Sequence, residues 1–207
     1  MLYGPASYTE NYTTADKKGI SLSLKIESSF PENGNSIITV NTSQTAFFPL
    51  ALRVPSWSRS FIAEVGGKEY KGIDNQYLVI KRVWKSGERI KVSFKIPIQI
   101  LSGGKSYPGQ IAFQRGPQVL AFDSSLNIEL LKKYQFGSNQ KLLVEKPESK
   151  SDSALLPEKW IGNQAYKVNI MGKNANTTNQ QLIMVPFADA SQTGGDIKVW
   201  MPLSVIK

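Results

Sequence analysis

The stretch Gln76 to Leu101, QYLVIKRVWKSGERIKVSFKIPIQIL, decides the fold class. In its second half Ile90, Val92, Phe94 and Ile96 alternate with Arg89, Lys91, Ser93 and Lys95. A period of two sends successive side chains to opposite faces of a sheet, so this is a half-buried antiparallel strand. Tyr77 to Arg82, rich in β-branched and aromatic residues, is a second strand. Between them Trp84-Lys85-Ser86-Gly87-Glu88 holds a glycine able to take the positive φ of a chain reversal. The expectation is that the two strands pair as a hairpin. Pro97, with no backbone donor, ends the second strand or sits on an edge.

Toward the N-terminus the same pattern recurs. Ile20, Leu22, Leu24 and Ile26 alternate with polar residues, and Pro31-Glu32-Asn33-Gly34-Asn35 is turn chemistry leading into a strand from Ile37 to Asn41. A third strand runs from Ala46 to Val54, with Phe48, Leu50, Leu52 and Val54 on one face, and Pro55-Ser56-Trp57-Ser58 breaks it. Gly66-Gly67 joins the short strand Ile62 to Val65 to a return through Glu69 and Tyr70. Residues 1–18 show little periodicity and read as a lead-in segment.

Toward the C-terminus, Ser102 to Gly109 (SGGKSYPG) is the best linker candidate. Beyond it Ile111 to Gln114 and Val119 to Phe122 are strands separated by a bend at Arg115-Gly116-Pro117. A short helix is expected near Leu126 to Tyr134 and an exposed loop from Lys146 to Lys159. Strands return at Tyr166 to Met171, Leu182 to Val185 and Ile197 to Met201, with polar connections at Asn174 to Gln181 and Asp189 to Gly195. The chain is therefore expected to be all-β, two tandem antiparallel jelly-roll-like β-sandwiches with little helix: residues 1–101, a linker at 102–109, and a smaller sandwich at 110–207.

Composition excludes much chemistry. The 207 residues contain no cysteine and no histidine, which removes disulfides, thiolate metal sites, cysteine nucleophiles and Ser-His-Asp triads. The net charge of +9 rests on 20 lysines and 5 arginines against 16 acids, with the lysines spread along the chain. Spread lysine marks a solvated surface, and the scarcity of guanidinium argues against nucleic-acid recognition. No apolar run approaches the roughly 20 residues of a membrane span, and Met1 to Pro5 lacks a charged and apolar leader, so the chain reads as soluble, a mature protein or a fragment.

Candidate sites are sparse. Glu27, Glu88, Asp123 and Asp189 read as solvated or turn carboxylates rather than a glycosidase pair. Asp189 to Asp196 lacks the acid spacing of an EF-hand loop and reads as a polar turn. Trp84 and Trp200 read as core aromatics; Trp57 and Tyr107, in loops, are the candidates for stacking on sugar rings.

Four segments, taken in order, resemble one family: Leu52-Arg53-Val54-Pro55-Ser56-Trp57, then Tyr77 to Glu88, then Ile111 to Val119, then Val185-Pro186-Phe187-Ala188-Asp189-Ala190. They are similar to the post-barrel region of glycoside hydrolase family 127, which includes bacterial β-L-arabinofuranosidases. Arg53, Pro55, Trp57, Tyr77, Arg82, Trp84, Gly87, Arg115, Gly116, Pro117, Pro186 and Trp200 carry the likeness as structural motif residues. Phe30-Pro31 with Gly34 also fits. The chain departs at Gly66-Gly67, where the family often has Asn-Gly, and at Leu120 and Asp123, where Tyr and Glu are common.

The resemblance implies that catalysis belongs to an N-terminal (α/α)6 barrel with a cysteine nucleophile, a general acid, and a zinc ion held by cysteines and a glutamate. None of these can lie in this chain, so no catalytic residue and no cofactor are expected here. The implied partner is that barrel, with subunit contacts in a homodimer as a further role. The compartment stays open, a periplasmic or extracellular one included. An apolar patch on one sandwich is the expected docking surface. Two alternatives stand beside this: a carbohydrate-binding module contacting plant-cell-wall sugars through Trp57 and Tyr107, and a basic module binding acidic polymers through Lys81, Lys85, Lys91 and Lys95.

Overall fold

The structure, a computed structural model, describes residues 4–13, 19–133, 142–145, 147–148, 150–171 and 180–205. It is all-β and dominated by antiparallel pairing, and its contacts divide it into two compact units, Met1–Ile96 and Pro97–Lys207. No helix among the described residues is long and apolar enough to cross a membrane.

The first unit holds β1 (Ala6–Thr13), β2 (Gly19–Ser28), β3 (Asn35–Thr42), β4 (Ala46–Arg53), β5 (Arg59–Val65), β6 (Lys68–Lys71), β7 (Tyr77–Trp84) and β8 (Glu88–Lys95). Six strands form one sheet in the order β1-β2-β3-β8-β5-β6, while β4 and β7 pair with each other in a second. The alternating residues of both sheets meet in one core. Ile38, Val40, Ala63, Ile90 and Val92 come from the larger sheet, and Phe48, Leu50, Leu52, Ile80 and Trp84 from the smaller.

The expected β7–β8 hairpin is not formed. β7 pairs along its length with β4, and β8 pairs with β3 and β5. Each strand has a buried apolar row, and the two rows are covered by lying face to face across the core rather than side by side in one sheet. The intervening corner is fastened at several points. Glu88 accepts a hydrogen bond from the Lys85 backbone N–H at 2.9 Å, Ser86 Oγ accepts one from Thr42 N–H at 3.2 Å, and Gly87 N–H donates to the Val40 carbonyl at 2.8 Å. Gly87 has φ +86°, so the corner uses the backbone freedom that glycine supplies.

One other expectation changes in this unit. Residues 6–13, read as part of a lead-in, form strand β1, which pairs residue for residue with β2 from Ala6↔Ile26 to Thr13↔Gly19. Its threonines and tyrosines suit a strand even though only Tyr12 is partly buried. The Gly66-Gly67 connection forms as expected, with Val65 opposite Lys68.

The second unit contains β9 (Ile98–Ser102), β10 (Ile111–Arg115), β11 (Gln118–Asp123), β12 (Leu142–Val144), β13 (Tyr166–Met171), β14 (Gln180–Pro186), β15 (Ile197–Lys198) and β16 (Leu203–Val205), with a four-residue helix α1 (Ile128–Leu131). Its strand path is β16-β12-β13-β14-β11-β10-β9. The last segment pairs with several strands of this sheet. Lys198 and Ile197 pair with Phe122 and Asp123, Met201 bridges Ile111 of β10, and β16 runs parallel beside β12. Phe113, Leu120, Phe122, Tyr166, Val168, Leu182, Met184 and Met201 fill the interior.

The division between units falls just before β9, whereas the sequence reading put it at residues 102–109. That stretch is the turn of the β9–β10 hairpin, with Ser102 opposite Ile111 and Gly103 N–H donating to the Gln110 carbonyl at 2.9 Å. Turn glycines and linker glycines look alike in sequence. The three-residue strands β12 and β16 are too short to show a period. Tyr134, Lys146 and residues 174–179, which the sequence reading placed in a helix, a loop and a connection, lie outside the described residues.

Candidate interaction face and loop aromatics

The residues that carry the family likeness build corners. Arg53, at the end of β4, donates to the carbonyls of Val54 and Gln76 at 3.2 Å, reaches the Asn75 side chain, and lies 5.5 Å from the Tyr77 ring centroid. The Pro55 carbonyl accepts from both Ser58 N–H and Ser58 Oγ, which fixes the turn that carries Trp57. Arg82 pairs with Glu88 at 2.5 Å and covers the Trp84 ring at 5.1 Å, and the fully buried Trp84 donates its indole N–H to the Phe48 carbonyl at 3.0 Å.

In the second unit Gly116, at φ +55°, and Pro117 make the two-residue turn between Arg115 and Gln118, so the expected bend is a tight hairpin. Arg115 is buried against the Tyr166 ring at 5.2 Å, and loss of hydration pulls its guanidinium below the usual pKa. Pro186 ends β14 opposite Leu120.

Sequence reasoning passed over the other face of the β4–β7 sheet. Inward, Phe48, Leu50, Leu52, Ile80 and Trp84 are buried. Outward, Phe47 lies opposite Val83, Pro49 opposite Lys81, Ala51 opposite Val79 and Arg53 opposite Tyr77. Phe47 and Tyr77 are each 63% exposed, Val83 51% and Val79 44%. The signal was present in the sequence: AFFPLAL is apolar at every position, the mark of a strand covered on both faces rather than one.

The outer face of the six-stranded sheet is of the opposite kind. Lys25, Glu27, Arg89, Lys91 and Glu64 form exposed ion pairs across β2, β8 and β5. The Lys25 ammonium, with Arg89 adding to it, holds the Glu27 carboxyl below its ordinary pKa. An open cleft of about 550 Å³ crosses this face beside Glu27, Asn35, Glu64, Glu69, Lys91 and Ser93. Of the lysines named for the acidic-polymer alternative, Lys81 lies on the smaller sheet while Lys91 and Lys95 lie on β8 in the larger one.

Of the two sugar-contact candidates, Trp57 is engaged in packing, stacked on Phe30 at 5.9 Å with its edge toward Phe94 at 5.8 Å. Tyr107 stacks on Trp200 with centroids 4.8 Å apart and planes 13° apart, and stays 44% exposed. The carboxylates differ in role. Asp123 is fully buried and accepts from Ser125 N–H, Ser125 Oγ and Ser191 N–H, tying the polar turn after Asp189 to the end of β11. Burial pushes the Asp189 carboxyl above the usual range. No cluster of three potential metal ligands occurs among the described residues.

Comparison with known proteins adds to this geometry. Residues 6–96 match the family described as "Beta-L-arabinofuranosidase, GH127 middle domain", a span that ends where the first unit ends. The sequence reading spoke of a C-terminal region, whereas this description names a middle domain. No curated protein sequence matches the chain.

Among solved structures, a GH127 beta-L-arabinofuranosidase from Geobacillus stearothermophilus T6 is 18% identical with a TM-score of 0.72, over 99% of this chain and 33% of that one. A chain described as a glycoside hydrolase is 22% identical with a TM-score of 0.67, over 98% of this chain and 35% of that one. A GH127 beta-arabinofuranosidase is 21% identical with a TM-score of 0.69, over 96% and 34%. The chain thus has the fold of one third of these proteins.

Proposed function

We propose that this chain is the C-terminal, non-catalytic β-sandwich portion of a glycoside hydrolase of the β-L-arabinofuranosidase class, and that it buttresses a catalytic barrel and contributes to subunit contacts. The observation that carries the reading is the likeness of nearly the whole chain to one third of GH127 structures, together with the family match over residues 6–96. Alone the chain is then inactive, and the nucleophile, general acid and zinc ion belong to the barrel. Immunoblotting of the source organism with an antibody raised against this chain tests it. A band far larger than 207 residues supports the reading, and a band of that size overturns it.

A second reading, a carbohydrate-binding module, is favoured by the Tyr107–Trp200 stack, which presents a partly exposed aromatic ring. Saturable binding of plant-cell-wall oligosaccharides that disappears in Tyr107→Ala, with folding intact, would establish it. An unchanged titration would remove it.

A further inference from the structure

We infer that the outer face of the β4–β7 sheet is a docking surface for a further domain of a glycosidase polypeptide, one that presents an apolar surface with a carboxylate facing Lys81. This rests on the reading above and names the surface through which it would act.

Phe47, Pro49, Ala51, Val79 and Val83 form one contiguous apolar face with Lys81 among them, and neither strand contains an acid. Solvent does not explain this choice of residues, because the equally exposed face of the six-stranded sheet is built from ion pairs. The contact is face-on rather than by strand addition. A proline inside a paired strand turns its nitrogen to the free edge, so Pro49 leaves the edge of β4 without a donor at its centre.

Charge and area select the occupant. A second copy packed face to face would bring Lys81 and Arg53 toward their equivalents with no acid to meet them. Two strands of this length span about 26 Å by roughly 10 Å, on the order of 300 Å². A stable complex between free partners covers about 800 Å² per partner. A patch of this size is sufficient when the partner is held in the same polypeptide, where a linker supplies an effective concentration in the millimolar range. The matching structures, of which this fold is 33–35%, contain such further chain.

The test uses the polypeptide purified from the source organism. A carbodiimide joins amines to carboxylates already in contact, and acetylation reads the accessibility of each lysine. The expected result is a cross-link from Lys81 to an Asp or Glu outside this sequence, with acetylation of Lys81 roughly tenfold or more slower than that of Lys95 on the other sheet. A long polypeptide in which Lys81 reacts as fast as Lys95 overturns the docking inference and leaves the glycosidase reading intact. So does a cross-link from Lys81 to an acid of a second copy. A polypeptide no longer than this chain overturns the glycosidase reading, and the docking inference falls with it.

Discussion

The two outer faces of the first unit are exposed to the same solvent and built on the same pleat, yet they are made of different residues. β8 alternates strictly, with Ile90, Val92 and Phe94 inward and Arg89, Lys91, Ser93 and Lys95 outward. β4 and β7 have a complete inner row and a second apolar row outside it. A half-covered strand needs only one such row. The second row exceeds what a half-covered strand calls for, and its removal tests whether it belongs to the folding core.

The largest effect is expected inside. Trp84→Ala should lower the free energy of unfolding by about 3–5 kcal/mol, because it empties the core and removes the hydrogen bond to the Phe48 carbonyl. A urea transition unmoved by the substitution would break the contrast at its inner side. At the corner between the sheets, Glu88→Gln weakens the half-buried pair with Arg82 and the cap on Lys85, at a cost of about 1 kcal/mol in the same measurement.

One position away from Trp84 the outcome reverses. Val83→Thr and Phe47→Ser should change stability by less than about 0.5 kcal/mol. They should also abolish binding of an environment-sensitive hydrophobic dye by the isolated chain. A large loss of stability would show that the outer row belongs to the folding core.

The smallest effect belongs to the charged face. Hydrogen bonding to Lys25 lowers the pKa of Glu27. Its contribution is thus present above the unfolded pKa and is lost as pH falls through the folded one. Since Glu27 is exposed, the acid dependence of the Glu27→Gln difference should vanish in about 1 M salt, where screening lengths are roughly 3 Å.

Much of this was legible in the sequence, and the reasons differ by element. β2 and β8 announced themselves by alternation, and β3 and the Gly66-Gly67 hairpin by turn chemistry. The pairing of β7 and β8 was not legible, because a short glycine-containing connection serves a hairpin and a sheet-to-sheet corner equally well. What distinguishes them is where Glu88, Ser86 and Gly87 find backbone partners, and Thr42 and Val40 are more than 40 residues away. The apolar outer face was legible and went unread: Phe48, Leu50 and Leu52 accounted for the core without any question of what Phe47, Pro49 and Ala51 faced. Trp57 could not be told from a ligand contact by its place in a loop, since Phe30 and Phe94 reach it only in the folded unit.

The late position of the last strands in the second unit bears on how the chain is made. Residues 197–205 pair with β11, β10 and β12, so the sheet is incomplete until they have left the ribosome. The strand pairings of the first unit among the described residues all fall within residues 6–95, so they can form while the rest is being translated. During that interval β10, β11 and β12 lack these partners, and synthesis stalled before Ile197 would release an incomplete sheet of the kind chaperones and proteases act upon.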